Sequence, residues 1–216
     1  MKFSGVLFDL DGTLLNTIDD LAESMNSVLE KHGLPAHTVE AYKYFVGEGM
    51  ENLVRKSIPQ QVCTDDFVGV LFNEMKNTYQ KRWNLKTTPY DGITDVLLSI
   101  KNAGLRLGVL SNKIHDVTCE TVCYYFKQVE FDSVIGHRDF KRKPSPDAAL
   151  FIARQWGVLP ERILYVGDSM VDMQTAANAS MVAAGVLWGF RDKKELLENG
   201  ARYILNKPSD ILTILK

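Results

Sequence analysis

Short apolar runs that end abruptly at polar residues constrain the fold of this chain more than any other feature of its sequence. Residues 6–8, 105–110, 163–166 and 182–186 are apolar at most successive positions, which is typical of strands buried on both faces. Helical patterns lie between the later runs. Alternating strands and helices predict a parallel sheet that is covered by helices on both faces. We therefore expect an α/β fold.

A helical stretch interrupts this alternation after the first strand. Apolar residues recur at helical spacing up to about Trp83, and the stretch shows no good strand alternation. Strands and helices alternate again beyond the turn-rich segment 89–92. We therefore expect a Rossmann-like parallel sheet core formed by residues 1–14 and 84–216. Residues 15–83 are expected to form a small all-helical domain inserted after the first strand.

Polar clusters follow the strand-like runs. In chain order they are Asp9-Leu10-Asp11-Gly12-Thr13, Ser111-Asn112-Lys113, Lys143-Pro144-Ser145-Pro146, and Gly167-Asp168-Ser169 with Asp172. Ligands of open parallel sheets bind beyond the carboxyl ends of the strands. Because the clusters follow such ends, we expect them to form one site. Taken singly, each cluster has a structural reading as well, since Asp-Gly is typical of a turn and Ser-Pro of a helix start.

Aspartates beside a lysine suit phosphoryl transfer. A phosphomonoester carries two negative charges, and attack by a carboxylate brings a third toward them, so the step needs cations. Asp9 and Asp168 offer the hard oxygen ligands that Mg²⁺ prefers, and Lys143 offers a positive charge. Asp9 would act as the nucleophile and form an aspartyl phosphate. Asp11 would protonate the leaving oxygen and then activate water.

The four clusters, in this order, resemble motifs one to four of the haloacid dehalogenase superfamily. The resemblance covers essentially the whole chain, including the helical stretch, where that superfamily inserts its smaller type of cap. It implies a Mg²⁺ cofactor and roles for individual residues. The implied catalytic residues are Asp9, Asp11, Ser111 and Lys143, the metal-binding residues are Asp9, Asp11, Asp168 and Asp172, and the phosphate-binding residues are Gly12, Thr13 and Asn112.

Three less specific motifs are similar to those of the phosphoglycolate phosphatase group. They lie at residues 45–49, 89–92 and 186–190, and pyrophosphatases and sugar-phosphate phosphatases share versions of them. The resemblance implies that the cap contacts the leaving group, and the candidate contacts are Gly47, Glu48, Gly49 and Arg55. An equally good interpretation places Arg55 on a solvated helix face.

Several activities stay open within this resemblance. Asp11 favours phosphoryl chemistry over carbon–halogen cleavage, because dehalogenases of the superfamily lack a carboxylate at that position. A phosphomutase would use the same aspartyl phosphate and pass the phosphoryl group to a sugar hydroxyl. A phosphate-binding sensor without catalysis is a candidate of another class, although binding alone does not require Asp11.

Composition and sequence patterns limit the kinds of partner and the location that we expect for this chain. A net charge of -2 lacks the basic excess of nucleic-acid-binding proteins. The apolar runs fall short of the roughly 18 residues that indicate a membrane span, and the N-terminus has no signal-peptide pattern. An odd and sparse set of three cysteines indicates a reduced compartment. We expect a cytoplasmic monomer or homodimer that binds a small phosphorylated metabolite and neither nucleic acid nor membrane.

Overall fold

The computed structural model describes residues 2–216, and the chain divides into two compact units. The core unit contains the chain up to Leu15 and then Pro89–Lys216. The helical unit contains Asn16–Thr88. The chain therefore leaves the core unit once, after its first strand, and returns to it once.

A six-stranded parallel sheet forms the centre of the core unit. The strands of the chain are β1 (Gly5–Phe8), β2 (Leu15–Asn16), β3 (Thr88–Pro89), β4 (Arg106–Ile114), β5 (Ser133–His137), β6 (Ile163–Gly167), β7 (Val182–Val186) and β8 (Tyr203–Leu205). The six-stranded sheet has the order β5-β4-β1-β6-β7-β8, and β2 pairs with β3 separately. Val6 of β1 lies opposite Leu107 of β4 and Leu164 of β6. The strand that precedes Asp9 is thus flanked on both sides.

Helices cover both faces of the sheet and build the second unit. They are α1 (Ile18–Lys31), α2 (Val39–Phe45), α3 (Met50–Ser57), α4 (Asp65–Tyr79), α5 (Ile93–Asn102), α6 (His115–Tyr125), α7 (Asp147–Trp156), α8 (Met170–Asn178), α9 (Lys193–Glu198) and α10 (Asp210–Leu215). Helices α1 to α4 belong to the helical unit, where α1 packs against α2 and α4. The predicted α/β fold with an inserted helical domain is confirmed.

The core has two apolar layers, one on each face of the sheet. Val6 and Phe8 belong to one layer, together with residues of α5. Leu7 belongs to the other layer, together with Ile152 of α7 and Tyr165 of β6. Strand β1 is apolar at successive positions because its alternating side chains enter both layers.

The ends of the helical unit differ from the expected boundaries at residues 14 and 84. The division falls after Leu15 and after Thr88. Asp20, which is fully buried, accounts for the later end, because its carboxylate accepts hydrogen bonds from the backbone N–H groups of Lys86 and Thr87 at 2.8–3.1 Å. The Thr87 hydroxyl donates to the same carboxylate at 2.8 Å. These bonds hold residues 86 and 87 on the helical unit.

Strand β5 is absent from the sequence prediction, and β4 is longer than predicted. Strand β5 offers only two adjacent large apolar residues, Val134 and Ile135, followed by a glycine, which is a weak pattern. The β4–β5 register shifts between Leu110 and Ile114, so the strand continues irregularly through the second polar cluster. Across residues 2–216, no helix combines the length and apolar character that crossing a membrane requires.

Candidate active site

Adjacent strands deliver the polar clusters to one edge of the sheet. Asp9 directly follows β1, and its N–H donates to the Val166 carbonyl of β6 at 2.9 Å. Asp168 directly follows β6, and Ser111 lies near the end of β4. Because β4, β1 and β6 are parallel neighbours, their carboxyl ends meet. The structure therefore brings together the clusters that the sequence places far apart.

Three buried carboxylates and one ammonium group form the centre of the site. Asp9, Asp168 and Asp172 each offer an oxygen, and these atoms lie within 4.8 Å of one another. Lys143 Nζ donates to Asp9 Oδ1 at 2.6 Å and to Asp172 Oδ1 at 2.7 Å. One lysine cannot balance three ionised carboxylates away from water. The donor set fits a hard divalent cation such as Mg²⁺, which prefers carboxylate oxygens.

Burial and this excess of negative charge together shift the pKa values of the cluster. Burial raises the pKa of Asp9 well above its usual range, because Lys143 only partly offsets the loss of water. Burial and the charge of Asp172 raise the pKa of Asp168 to about 7. Burial alone would lower the pKa of Lys143, but Asp172 and Asp9 outweigh it and raise that pKa. The cluster therefore favours bound positive charge, as a proton or as a metal ion.

Motif one reaches this cluster through a turn that only glycine allows. Gly12 has φ +89°, and a Cβ at this position would lie 2.4 Å from Asp168 Oδ2. The Thr13 hydroxyl donates to Asp168 Oδ1 at 3.4 Å, and Trp188 Nε1 donates to the Thr13 carbonyl at 3.0 Å. Thr13 thus steadies the turn and contacts a candidate metal ligand directly.

Asn112 fixes the backbone of Lys143. Asn112 Oδ1 accepts from the Lys143 N–H at 2.8 Å, and Asn112 Nδ2 donates to the Lys143 carbonyl at 3.1 Å. Ser111 is buried beside it, and its Oγ accepts from the Lys113 N–H at 3.2 Å. The amide side chain of Asn112 therefore positions Lys143, and its role toward phosphate stays a prediction.

Asp172 both caps a helix and belongs to the group of carboxylates that could hold a metal ion. Its Oδ2 accepts from the Ser169 N–H at 3.1 Å and from Ser169 Oγ at 2.7 Å, which caps α8. Its Oδ1 contacts Lys143. Because one of its oxygens also lies within the group formed with Asp9 and Asp168, Asp172 is able to bind an ion directly.

Two further contacts of the predicted site aspartates were not predicted from the sequence. Lys113 Nζ lies 3.1 Å and 3.3 Å from the two carboxylate oxygens of Asp11. Its position in the second polar cluster was the only signal for this pairing. The Phe190 N–H donates to Asp168 Oδ2 at 2.8 Å.

Asp11 was also predicted to bind the metal. Among residues 2–216, its carboxylate is not part of the group formed by Asp9, Asp168 and Asp172.

The other predicted substrate contacts lie in the helical unit. They are Gly47, Glu48, Gly49 and Arg55. Lys56 donates to Glu48 at 2.7 Å. Arg55 pairs with Glu51 at 3.0 Å and with Asp65 at 2.9 Å. These pairs agree with the interpretation that Arg55 lies on a charged helix face, and substrate binding by the four residues stays a prediction.

Known proteins resemble this chain over its whole length. It is 29% identical to an N-acetylmuramic acid 6-phosphate phosphatase of Pseudomonas aeruginosa over 100% of the chain and 96% of that protein. It is 28% identical to a phosphoglycolate phosphatase of Aquifex aeolicus over 97% of the chain and 95% of that protein. The crystal structure of a predicted phosphoglycolate phosphatase from Haemophilus somnus 129pt is 25% identical, with a TM-score of 0.92 over 100% of this chain and 99% of that one.

A family model gives the assignment directly. The model of haloacid dehalogenase-like hydrolases matches residues 6–186. This range begins in β1 and ends with β7, so it contains all four polar clusters. The resemblance inferred from the motifs is therefore confirmed, as is the expectation of an enzyme. The chain belongs to the haloacid dehalogenase-like hydrolase family.

Proposed function

We propose that this chain is a Mg²⁺-dependent phosphomonoester hydrolase that works through a phosphorylated Asp9. The buried group of Asp9, Asp168 and Asp172 with Lys143 between two of its members carries the proposal. The three carboxylates would hold the Mg²⁺ ion. When bound, Mg²⁺ would neutralise charge on the transferring phosphoryl group.

The residues of the chain supply nucleophile and proton carrier. Lys143 binds Asp9 Oδ1, so we assign the attack on phosphorus to Asp9 Oδ2. The ester P–O bond breaks, and the leaving oxygen takes a proton from Asp11. In the second step Asp11 takes a proton from water, whose oxygen attacks the aspartyl phosphate and releases inorganic phosphate. Lys143 balances the charge on the phosphoryl oxygens, and the Ser111 hydroxyl donates a hydrogen bond to one of them.

The proposed substrates are small phosphorylated metabolites of the kind that phosphoglycolate phosphatases hydrolyse. The names of two relatives support this class, since phosphoglycolate and N-acetylmuramic acid 6-phosphate are both phosphomonoesters that carry a carboxylate. A carboxylate on the leaving group would favour a cation in the substrate contacts. A cytoplasmic location and a monomeric or homodimeric state also stay predictions.

Phosphate release from matched substrates tests the proposal. We expect Mg²⁺-dependent release from 2-phosphoglycolate and little from ethyl phosphate, which lacks the carboxylate. N-acetylmuramic acid 6-phosphate and N-acetylglucosamine 6-phosphate form a second matched pair. Asp9→Asn removes the nucleophile and should abolish turnover. Asp11→Asn should lower turnover by at least about 100-fold, as loss of an acid–base group does. Asp139→Asn, at an exposed position with a side chain 70% accessible, should keep the rate of the unchanged protein.

Each rival activity predicts a different result. Preference for pyrophosphate would favour a pyrophosphatase and overturn the substrate class alone. Slow phosphate release together with interconversion of sugar phosphates would favour a phosphomutase. Binding of phosphate esters with no turnover of any of them would favour the sensor and overturn the proposed mechanism.

A further inference from the structure

The loop between β7 and α9 sets the position of Asp168. The Phe190 N–H donates to Asp168 Oδ2 at 2.8 Å. Gly189 lies so near that a Cβ on it would be 2.3 Å from Asp168 Cβ and 2.4 Å from the Gly12 carbonyl oxygen. Such close packing leaves the carboxylate little freedom of its own. A displacement of this loop would therefore move a candidate metal ligand.

Glu195 connects this loop to the helix that carries Asp172. It lies in the first turn of α9, and its Oε1 accepts from the Met170 N–H at 3.0 Å. The same oxygen pairs with Arg191 Nε at 3.3 Å. Met170 is the first residue of α8, and Arg191 follows the residue that donates to Asp168. One carboxylate oxygen thus joins the segment that contains Asp168 and Asp172 to the loop that donates to Asp168.

Glu195 is itself held in place at the start of α9. The Asp192 side chain accepts from the Glu195 N–H at 2.9 Å, as a helix cap. At the other end of the helix, Asn199 Nδ2 donates to the Glu195 carbonyl, and Gln174 of α8 donates to Asn199 Oδ1 at 2.8 Å. These bonds fix the backbone of Glu195, and the bond from the Met170 N–H holds its side chain at the start of α8.

We propose that Glu195 is a positioning residue for the metal site, in that its bridge between Met170 and Arg191 holds the loop that contacts Asp168 against the start of α8 and so fixes the direction of the Asp168 carboxylate. This inference rests on the proposed function, because it needs a divalent cation at the three carboxylates. Hydrogen-bond partners that orient metal ligands typically change metal affinity by about 10-fold to 100-fold when they are removed. Glu195 is not one of the three carboxylates that would hold the ion, so its effect is expected in metal affinity.

A series of variants at position 195 separates the effects of side-chain length, charge and hydrogen bonding. Glu195→Ala removes the bridge, and Glu195→Asp keeps the charge but is one methylene too short to bridge. Glu195→Gln keeps the accepting oxygen without the charge. Glu198→Ala, on the same helix, breaks only an exposed pair with Lys194 at 3.9 Å and serves as the control.

Mn²⁺ binding to the substrate-free protein, titrated by electron paramagnetic resonance, gives a readout other than activity. We expect the dissociation constant to rise about tenfold for the Ala and Asp variants at position 195. The Gln and control variants should bind as the unchanged protein does. At saturating Mg²⁺, kcat for the Asp variant should return to the value of the unchanged protein, since the bridge acts on metal affinity.

The outcomes distinguish this inference from the function on which it rests. If the unchanged protein fails to bind Mn²⁺, the proposed metal site is wrong. If that protein binds Mn²⁺ and the Asp variant binds it equally well, the positioning role of Glu195 is wrong. Equal weakening of the Gln and Ala variants would also contradict the role, because it would point to charge alone. The Asp variant keeps the test decisive if the Ala variant does not fold.

Discussion

Replacing Asp168 by asparagine should stabilise the metal-free protein at pH 8. The folded chain holds this carboxylate, which is 2% exposed, within 4.8 Å of the Asp9 and Asp172 oxygens. Asparagine has the same shape, keeps one acceptor for the Phe190 N–H, and carries no charge. Active sites commonly concentrate like charges at the expense of stability. The substitution removes one of three buried negative charges while it leaves Lys143 paired with the other two.

The size of the effect follows from the pKa of Asp168. Its value rises to about 7 from a usual value of 3.8. A pKa difference of one corresponds to about 1.4 kcal/mol, so keeping Asp168 ionised in the folded protein at pH 8 costs roughly 4 kcal/mol. Asparagine accepts a hydrogen bond from Phe190 more weakly than a carboxylate does, by about 1–2 kcal/mol. We expect a net rise of about 2 kcal/mol in the free energy of unfolding.

The stability difference between Asp168→Asn and the unchanged protein should depend on pH in one direction. The pKa of Asp168 is higher in the folded state than in the unfolded state. The loss of folding stability from its ionisation is therefore absent below about pH 4 and grows as the pH rises toward about 7. Urea unfolding with a metal chelator should therefore show Asp168→Asn as the more stable protein at pH 8. The difference should shrink as the pH falls. Saturating Mg²⁺ should reverse the order, since a ligand at 100 times its Kd stabilises the folded state by about 2.7 kcal/mol.

Two results would refute this reasoning. One is a variant that is less stable than the unchanged protein at pH 8 with chelator, which would mean that Asp168 is not held ionised at a cost. The other is a stability difference that widens as the pH falls. Asp139→Asn, which removes an exposed carboxylate, is the matched control and should leave the free energy of unfolding nearly unchanged.

Other substitutions test the remaining contacts. Lys143→Met should lower the free energy of unfolding by about 3–5 kcal/mol in urea without metal, because it leaves buried carboxylates unpaired; a neutral effect would contradict the ion pairs. Gly12→Ala, with φ +89° and a Cβ 2.4 Å from Asp168 Oδ2, should abolish phosphate release and cost about 1–3 kcal/mol. Gly33→Ala, with φ +66° and open space, should cost about 1 kcal/mol and keep activity. Asp20→Asn should speed hydrogen exchange at the amides of residues 86 and 87 by weakening bonds worth about 1.5–3 kcal/mol; unchanged exchange would refute this.

The sequence was sufficient to predict the fold class and the meeting of Asp9, Lys143 and Asp168 for a geometrical reason. Strands such as β1 and β6 are apolar on both faces, so they must lie in a covered parallel sheet. Polar residues at the carboxyl ends of such neighbours, here Asp9 and Asp168, have to meet at one edge. Lys143 was found from its motif although the strand before it was not predicted.

Contacts that depend on backbone geometry could not be predicted from the sequence. The pairing of Lys113 with Asp11 depends on side-chain directions in the part of β4 where the register shifts. The hydrogen bond to Asp168 comes from the N–H of Phe190, a group that nearly every residue possesses. Strand β5 lacks the apolar run that would identify it, because Val134 and Ile135 are its only large apolar residues. Such features follow from packing and leave no residue type as a signal.

The pairing of β2 with β3 has a consequence for the modularity of the chain. Leu15–Asn16 and Thr88–Pro89 form a two-stranded sheet, so the chain leaves the core unit and returns to it at neighbouring points about 5 Å apart. Closing a gap of that size needs only a short turn, and each further doubling of a loop costs only about 0.6 kcal/mol. A core joined directly across this gap would keep every strand of its six-stranded sheet. An insert of different size at this junction would start and end at the same neighbouring points and would leave the order of the six strands unchanged.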